Sequence, residues 1–172
     1  MAHPTAYHQL GRFIVGFQHL ENAVTELLVL LDDTDSEAVL ILVNELGYSQ
    51  RLRTADVLFS RFIDLRNNTD PASKAAFHDL MGKLGKLGER RNELVHSRYN
   101  DWVNVEGRLG LLRTNSRLRA KTGVRQEQEE ELQPEAFDGD LQRLASAATE
   151  LERFRLQVID WLYPHDGTQS RD

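Results

Sequence analysis

Apolar side chains recur every three or four residues over most of the chain, which is the spacing that places them on one face of an α-helix. The first such run covers 5–32 and has these apolar positions: Leu10, Phe13, Phe17, Leu20, Val24, Leu27 and Leu31. A shorter run follows over 35–46, and a third begins at Ser49 and ends near 66–69. We therefore predict a long first helix, a short second helix and a third helix of intermediate length.

The limits of the later helices are indicated by residues that favour helix ends. Asp70 is a good N-cap residue and Pro71 suits the first helical position, so a fourth helix is predicted to begin here. Its apolar spacing continues to about Tyr99. Pro134 opens the last helix in the same way, and the helical period then continues until Pro164.

Residues 100–133, between the fourth and the last helix, lose the helical period. Apolar and polar residues alternate there and Glu106-Gly107 breaks the alternation as a turn would, which predicts an irregular or β-hairpin insertion. The rest of the chain is expected to be helical. The sequence thus predicts an all-α fold, with a single domain over 1–172 that is a five-helix bundle carrying this one insertion.

The composition and charge of the chain exclude several kinds of binding site and cellular location. The chain has 172 residues, of which 21 are basic and 27 acidic, so its formal net charge is −6. The absence of cysteine excludes disulfides and cysteine-ligated metal sites. No signal-peptide pattern and no stretch of about 18 uncharged apolar residues is seen, so we expect a cytoplasmic protein without a membrane span. The acidic balance also argues against a surface that coats nucleic acid.

The charges are nevertheless unevenly distributed along the insertion. Residues 107–126 carry only basic charges: Arg108, Arg113, Arg117, Arg119, Lys121 and Arg125. Residues 127–140 carry only acidic ones: Glu127, Glu129, Glu130, Glu131, Glu135, Asp138 and Asp140. The basic half could hold RNA phosphates, with Arg117 and Arg119 as the candidate contacts. Alternatively, the basic half folds against the acidic half and both are simply solvated.

An arginine interrupts the apolar stripe of the fourth helix. The stripe reads Phe77, Leu80, Leu84, Leu87, Arg91 and Leu94. Burying a guanidinium without a partner is costly, so Arg91 is expected to meet a carboxylate, a phosphate or the wet centre of a subunit interface. A structural ion pair, or a side chain that extends to the surface, is the alternative.

The residues after Arg91 favour phosphate chemistry. Asn92 and His96 are four residues apart on the predicted helix and so share one face, next to Arg91. A guanidinium can hold a phosphate with two hydrogen bonds, an imidazole can give or take a proton near neutral pH, and an amide can orient either group. The three side chains therefore predict an anion-binding, acid-base site.

The run from Arg91 to His96, with Asn92 directly after the arginine and late in a long helix, resembles the signature of HEPN domains. This resemblance implies a metal-independent endoribonuclease, often a toxin or antiviral effector, that is sometimes silenced by an antitoxin protein. It implies that Arg91 and His96 are catalytic and that Asn92 supports them. Arg98 and Tyr99 become further candidates for RNA contacts, and no cofactor or metal is expected.

The proposed chemistry also predicts an oligomer. Attack by the RNA 2′-hydroxyl needs a base, an acid and positive charge on the phosphorus centre, whereas one chain supplies a single histidine in the motif. The HEPN resemblance implies a homodimer in which two motifs share one cleft. Such a pairing would bring together two copies of His96 and two of Arg91. The two histidines would supply the acid and the base, and the two arginines would supply the positive charge.

Three other interpretations stay open at this point. A non-catalytic HEPN-like bundle could bind a nucleotide or a protein partner through the same residues. Glu93-x-x-His96 matches the ligand unit of di-iron bundles, although such sites need that unit twice. Finally, the spacing of Gly82, Gly85 and Gly88 indicates either close approach by another chain or a locally loose helix.

Overall fold

The computed structural model of the chain describes residues 5–32, 36–119 and 123–164. In order, its elements are α1 (Ala6–Asp32), α2 (Ser36–Asn44), α3 (Tyr48–Asp64), α4 (Ser73–Val95), β1 (Arg98–Val103), β2 (Leu109–Arg119), β3 (Val124–Leu132), a short 3₁₀ helix (Pro134–Phe137) and α5 (Asp138–Leu162). The three strands form one antiparallel sheet in the order β1-β2-β3. The fold is therefore mixed, with five α-helices and a sheet.

The predicted all-α fold class is wrong, because the segment predicted as an irregular or β-hairpin insertion forms a three-stranded antiparallel sheet. The turn at Glu106-Gly107 does lie between β1 and β2, where Gly107 adopts a φ of 78°. The third strand escaped prediction because β3 is mostly Glu and Gln, without apolar alternation. Its place is set instead by pairing with β2, in which Glu130 lies opposite Arg113.

The fourth helix is shorter than predicted at both ends. It begins at Ser73, and Asp70 instead accepts a hydrogen bond from the backbone N–H of Ala72 at 2.9 Å. It ends at Val95 rather than near Tyr99, because the backbone from Arg98 onward pairs with β2. His96 therefore lies just beyond the helix and not within it.

Contacts group the chain into two compact units. The first unit comprises Met1–His19 and Lys86–Ala145, and the second comprises Leu20–Gly85 and Ser146–Asp172. In the first unit, Leu111 and Leu132 from one face of the sheet are fully buried, as are Phe13 and Phe137. This unit contains the candidate site.

The core of the second unit is a cluster of aromatic side chains. The rings of Phe59 and Phe77 stack with their centroids 4.0 Å apart. Phe154 meets both rings edge-on, at 5.5 Å from Phe59 and 5.2 Å from Phe77. Such paired rings bury large apolar areas and also gain from their complementary faces and edges. The predicted apolar stripes of α3, α4 and α5 meet in this cluster.

The first helix meets a simple criterion for membrane spans. By length and composition alone, α1 is long and apolar enough to cross a bilayer. Several of its apolar residues, including Phe13, Phe17, Leu20 and Val24, are buried, whereas Val15 is exposed. A core helix of a folded domain can meet the same criterion.

An exposed histidine in the second unit gives a pH-dependent contribution to stability. Nδ1 of His78 lies 2.6 Å from Oδ2 of Asp56, and this hydrogen bond raises the pKa of His78. A pKa raised by folding stabilises the protein below the unfolded-state pKa, and this stabilisation disappears as the pH rises through the folded-state value. His78→Gln should therefore lower the thermal midpoint at pH 5 and leave it unchanged at pH 9.

The control for this prediction is His19→Gln, because His19 is exposed and contacts no carboxylate within the described ranges. Thermal unfolding of the three proteins at both pH values checks the prediction. Because the His78 side chain is 74% exposed, the effect of His78→Gln on the thermal midpoint should be small. An equal loss of stability at pH 5 and pH 9 would show that the ion pair with Asp56 is not its source.

Candidate functional site

Arg91 is half-buried in the first unit, and the two groups that its side chain contacts there are neutral. Its Nη1 donates a hydrogen bond to Oδ1 of Asn92 at 3.0 Å, and its Cζ lies 5.8 Å from the centroid of the Phe17 ring. No carboxylate forms an ion pair with Arg91 among residues 5–32, 36–119 and 123–164. The other stripe positions of α4 are buried, as predicted. The structural ion pair considered as an alternative for Arg91 is therefore not found there.

His96 lies one residue beyond the C-terminal end of α4, and its side chain is exposed. Its backbone N–H donates to the carbonyl oxygen of Asn92 at 3.0 Å, which extends the helical hydrogen-bond pattern by one residue. Asn92 thus bonds Arg91 through its side chain and His96 through its backbone. The arginine and the amide are thus in contact, whereas the imidazole makes no hydrogen bond within the described part of the chain.

Arg98 and Tyr99 differ in their surroundings. Arg98 is exposed at the start of β1. Tyr99 is half-buried, and its hydroxyl donates to the carbonyl oxygen of Leu94 at 2.7 Å. Burial raises the pKa of Tyr99, although the charges of Arg113 and Arg90 oppose this shift. The hydroxyl therefore stays protonated and acts as a donor to α4.

A network of ion pairs, which was not predicted from the sequence, lies beside the motif. Arg90 bonds Oδ2 of Asp140 at 2.9 Å and both carboxylate oxygens of Glu130 at 3.3 Å. Arg113, only 4% exposed, bonds Glu130 at 2.7 Å. Burial alone would lower the pKa of Arg90, but these hydrogen bonds outweigh it and raise the pKa. The network ties α4 to β2, β3 and α5.

The sheet pairs the two oppositely charged halves of the insertion. β2 and β3 run antiparallel, and ion pairs join Arg113 to Glu130, Arg125 to Glu127 and, beyond the sheet, Arg108 to Glu135. This is the alternative in which the basic half folds against the acidic half. Along β2, the backbone of Arg117 lies opposite Gln126 and that of Arg119 opposite Val124.

The side chains of Arg117 and Arg119 lie outside what the structure describes, and Lys121 lies in the undescribed segment 120–122. The RNA-binding role predicted for the two arginines therefore stays a prediction. The neutralisation of Arg113 and Arg125 by carboxylates reduces the positive charge that this part of the sheet can present to a phosphate.

The surface cavities among the described residues of the first unit include one beside the motif and one beside the β1–β2 hairpin. One, of about 520 Å³, is lined by Glu89, Asn92, Glu93 and Asn115, so it places two carboxylates beside the motif. The larger, of about 850 Å³, lies between the start of α1 and the β1–β2 hairpin and is lined by residues that include Tyr7, Asp101 and Arg108. In it, the Tyr7 hydroxyl donates to Asp101 at 2.9 Å. No residue of the Arg91–His96 motif lines this larger cavity.

The structure also bears on two other interpretations of the sequence, the glycine spacing of α4 and the di-iron site. Space around Gly82 and Gly85 is open, so neither glycine is needed for close approach within the chain. Close packing occurs instead at Gly16, where a Cβ atom would lie 2.7 Å from Cδ2 of Leu144. Over the described ranges, no group of three or more His, Asp or Glu side chains is placed to hold a metal ion, and a di-iron site needs such a group.

Comparison of the chain with protein-family models, curated proteins and solved structures gives no match. The resemblance to HEPN domains therefore rests on the residues from Arg91 to His96 and their position at the end of a long helix. The geometry around these residues is the basis for a functional proposal.

Proposed function

We propose that the protein is a metal-independent endoribonuclease of HEPN type that acts as a homodimer. The observation that carries this proposal is the setting of Arg91. It is half-buried, hydrogen-bonded to a neutral amide, and has no carboxylate partner within the described ranges, whereas Arg90 beside it is fully engaged with carboxylates. Arg91 thus keeps donors and positive charge for a phosphate.

In the proposed reaction, the 2′-hydroxyl of RNA attacks the adjacent phosphorus and the 5′-oxygen of the next nucleotide leaves. His96 from one chain removes the proton from the attacking oxygen, and His96 from the second chain protonates the leaving oxygen. Arg91 stabilises the negative charge that develops on the phosphate oxygens, and Asn92 orients the guanidinium. The exposure of His96 and Asn92 on one chain supports a site completed by a second copy.

The experiment that tests this proposal compares RNA cleavage by the purified wild-type protein and the His96→Ala variant in the presence of EDTA. Cleavage by the wild type alone is the expected result. Growth arrest on expression of the wild type, relieved by the same substitution, would favour a role as a toxin or antiviral effector under the control of an antitoxin protein. We place this activity in the cytoplasm, where RNA substrates are available.

A second candidate function is a non-catalytic module that binds a nucleotide or a protein partner. The observation that favours it is the acidic surroundings of the motif, since Glu89 and Glu93 line the cavity beside Asn92. Carboxylates beside Asn92 repel RNA phosphates and attract basic groups. A wild-type protein that cleaves no RNA at low salt, yet binds a partner through Asn92 and His96, would support this function over the first.

A further inference from the structure

The end of α4 is held by a hydroxyl from the sheet. Tyr99 in β1 donates to the carbonyl oxygen of Leu94 at 2.7 Å. The last carbonyl groups of a helix have no partner within it, so an outside donor is needed to fix their direction. His96 lies between the acceptor and the donor of this hydrogen bond in the sequence. The backbone around His96 is thus closed into a short loop by Tyr99.

A second side chain acts on the same turn. Nη1 of Arg113 in β2 lies 3.4 Å from the carbonyl oxygen of Glu93 and 3.2 Å from Oγ of Ser97, which itself bonds Glu93. Arg113 is in turn fixed by Glu130, at 2.7 Å from Nε. A cation at the C-terminal end of a helix also interacts favourably with the helix dipole. The residues on both sides of His96 are therefore held by groups that are themselves fixed in the sheet.

We propose that Tyr99 and Arg113 are positioning residues, which fix the backbone turn that carries His96 and so the direction of its imidazole. This inference rests on the proposed ribonuclease function. Neither residue touches RNA in this scheme, and both act through the carbonyl oxygens of α4. A displacement of about 1 Å in a reacting group can cost about a hundredfold in rate, so a loosened turn should lower the rate of the chemical step.

The test uses Tyr99→Phe, which removes the hydroxyl and keeps the ring. We expect kcat for RNA cleavage to fall about tenfold while KM stays within about twofold, because substrate binding is retained and orientation is lost. Hydrogen exchange of the His96 backbone amide should become about fivefold faster, since the last turn opens more often without its cap. Arg113→Lys should lower kcat in the same way, since lysine cannot bridge several acceptors as arginine does.

A matched control exists on the same helix. Tyr48 donates its hydroxyl to the carbonyl oxygen of Leu84 at 3.2 Å, ten residues before Leu94 in the sequence of α4. Tyr48→Phe removes the same kind of hydrogen bond from the same helix. It should leave kcat and the exchange rate at His96 unchanged, because the turn keeps both of its own donors.

The outcomes separate this inference from the function on which it rests. An active wild type in which Tyr99→Phe and Tyr48→Phe have equal kcat and equal exchange at His96 overturns the positioning role alone. Loss of kcat in both variants to the same extent also overturns it, because a general loosening of α4 would then be the cause. A wild type no more active than His96→Ala overturns the ribonuclease function and the positioning role together.

Discussion

RNA cleavage by the His96→Ala variant is expected to be about 10²–10⁴-fold slower than cleavage by the wild type, because a positioned acid-base group contributes about that factor. Arg91→Ala should lose about 10²–10³-fold in kcat, the typical cost of removing one group that stabilises charge in the transition state. The loss should appear mainly in kcat, since both residues act on charges and protons that move during the reaction. Rates measured with excess labelled RNA in EDTA check both values.

The chain offers a matched control for this pair. Arg12 and His19 form a second arginine-histidine pair on one helix, with six residues between them instead of four, and both are exposed on α1. Arg12 donates to Oε1 of Gln9 at 2.9 Å within its own helix. Arg12→Ala and His19→Ala should therefore cleave RNA at the wild-type rate. Equal losses in the two pairs, or full activity of His96→Ala, would remove the motif on α4 from the chemistry.

Removal of the Asp140 carboxylate is expected to cost about 1.5–3 kcal/mol of folding free energy, because a buried acceptor of two charged hydrogen bonds is lost while Arg90 keeps its bonds to Glu130. The Asp140 side chain is only 4% exposed. It accepts hydrogen bonds from Nε of Arg90 at 2.9 Å and from Nη2 of Arg143 at 2.6 Å. Asp140→Ala should therefore lower the urea midpoint strongly and loosen the connection between α4, β3 and α5.

A second ion pair on α5 provides the comparison. Glu152 and Arg155 have the same spacing of three residues as Asp140 and Arg143, but Glu152 is half-exposed. Glu152→Ala should cost at most about 0.5 kcal/mol, because exposed ion pairs are screened by water and salt. Urea unfolding of both variants measures the difference. If the two substitutions cost the same, the Asp140 network does not hold the first unit together.

Much of the helical part of the fold could be predicted from the sequence. The apolar stripe over 5–32 appears as α1, and Pro134 begins the short 3₁₀ helix that leads into α5. These segments were predictable because their apolar periodicity is local and is satisfied by burial in each unit. The same reasoning failed for β3, whose glutamates favour helix in isolation and form a strand only because β2 is present.

Only the local contacts of the candidate site could be predicted from the sequence. Arg91 and Asn92 are adjacent in the sequence and their hydrogen bond follows from the helix between them. The roles of Tyr99 and Arg113 were not predictable, since they depend on how β1 and β2 fold back onto the end of α4. The charge runs of the insertion were visible, but their pairing depends on the register of the sheet.

The most direct test of the central claim is the chemical identity of the RNA ends produced in EDTA. Attack by the 2′-hydroxyl predicts a 2′,3′-cyclic phosphate on the upstream fragment and a 5′-hydroxyl on the downstream fragment, and both products should form about 10²–10⁴-fold more slowly with His96→Ala. Fragments that carry a 3′-hydroxyl and a 5′-phosphate, or cleavage that appears only when a divalent metal is added, would contradict the assignment of Arg91, Asn92 and His96 as a metal-independent ribonuclease site.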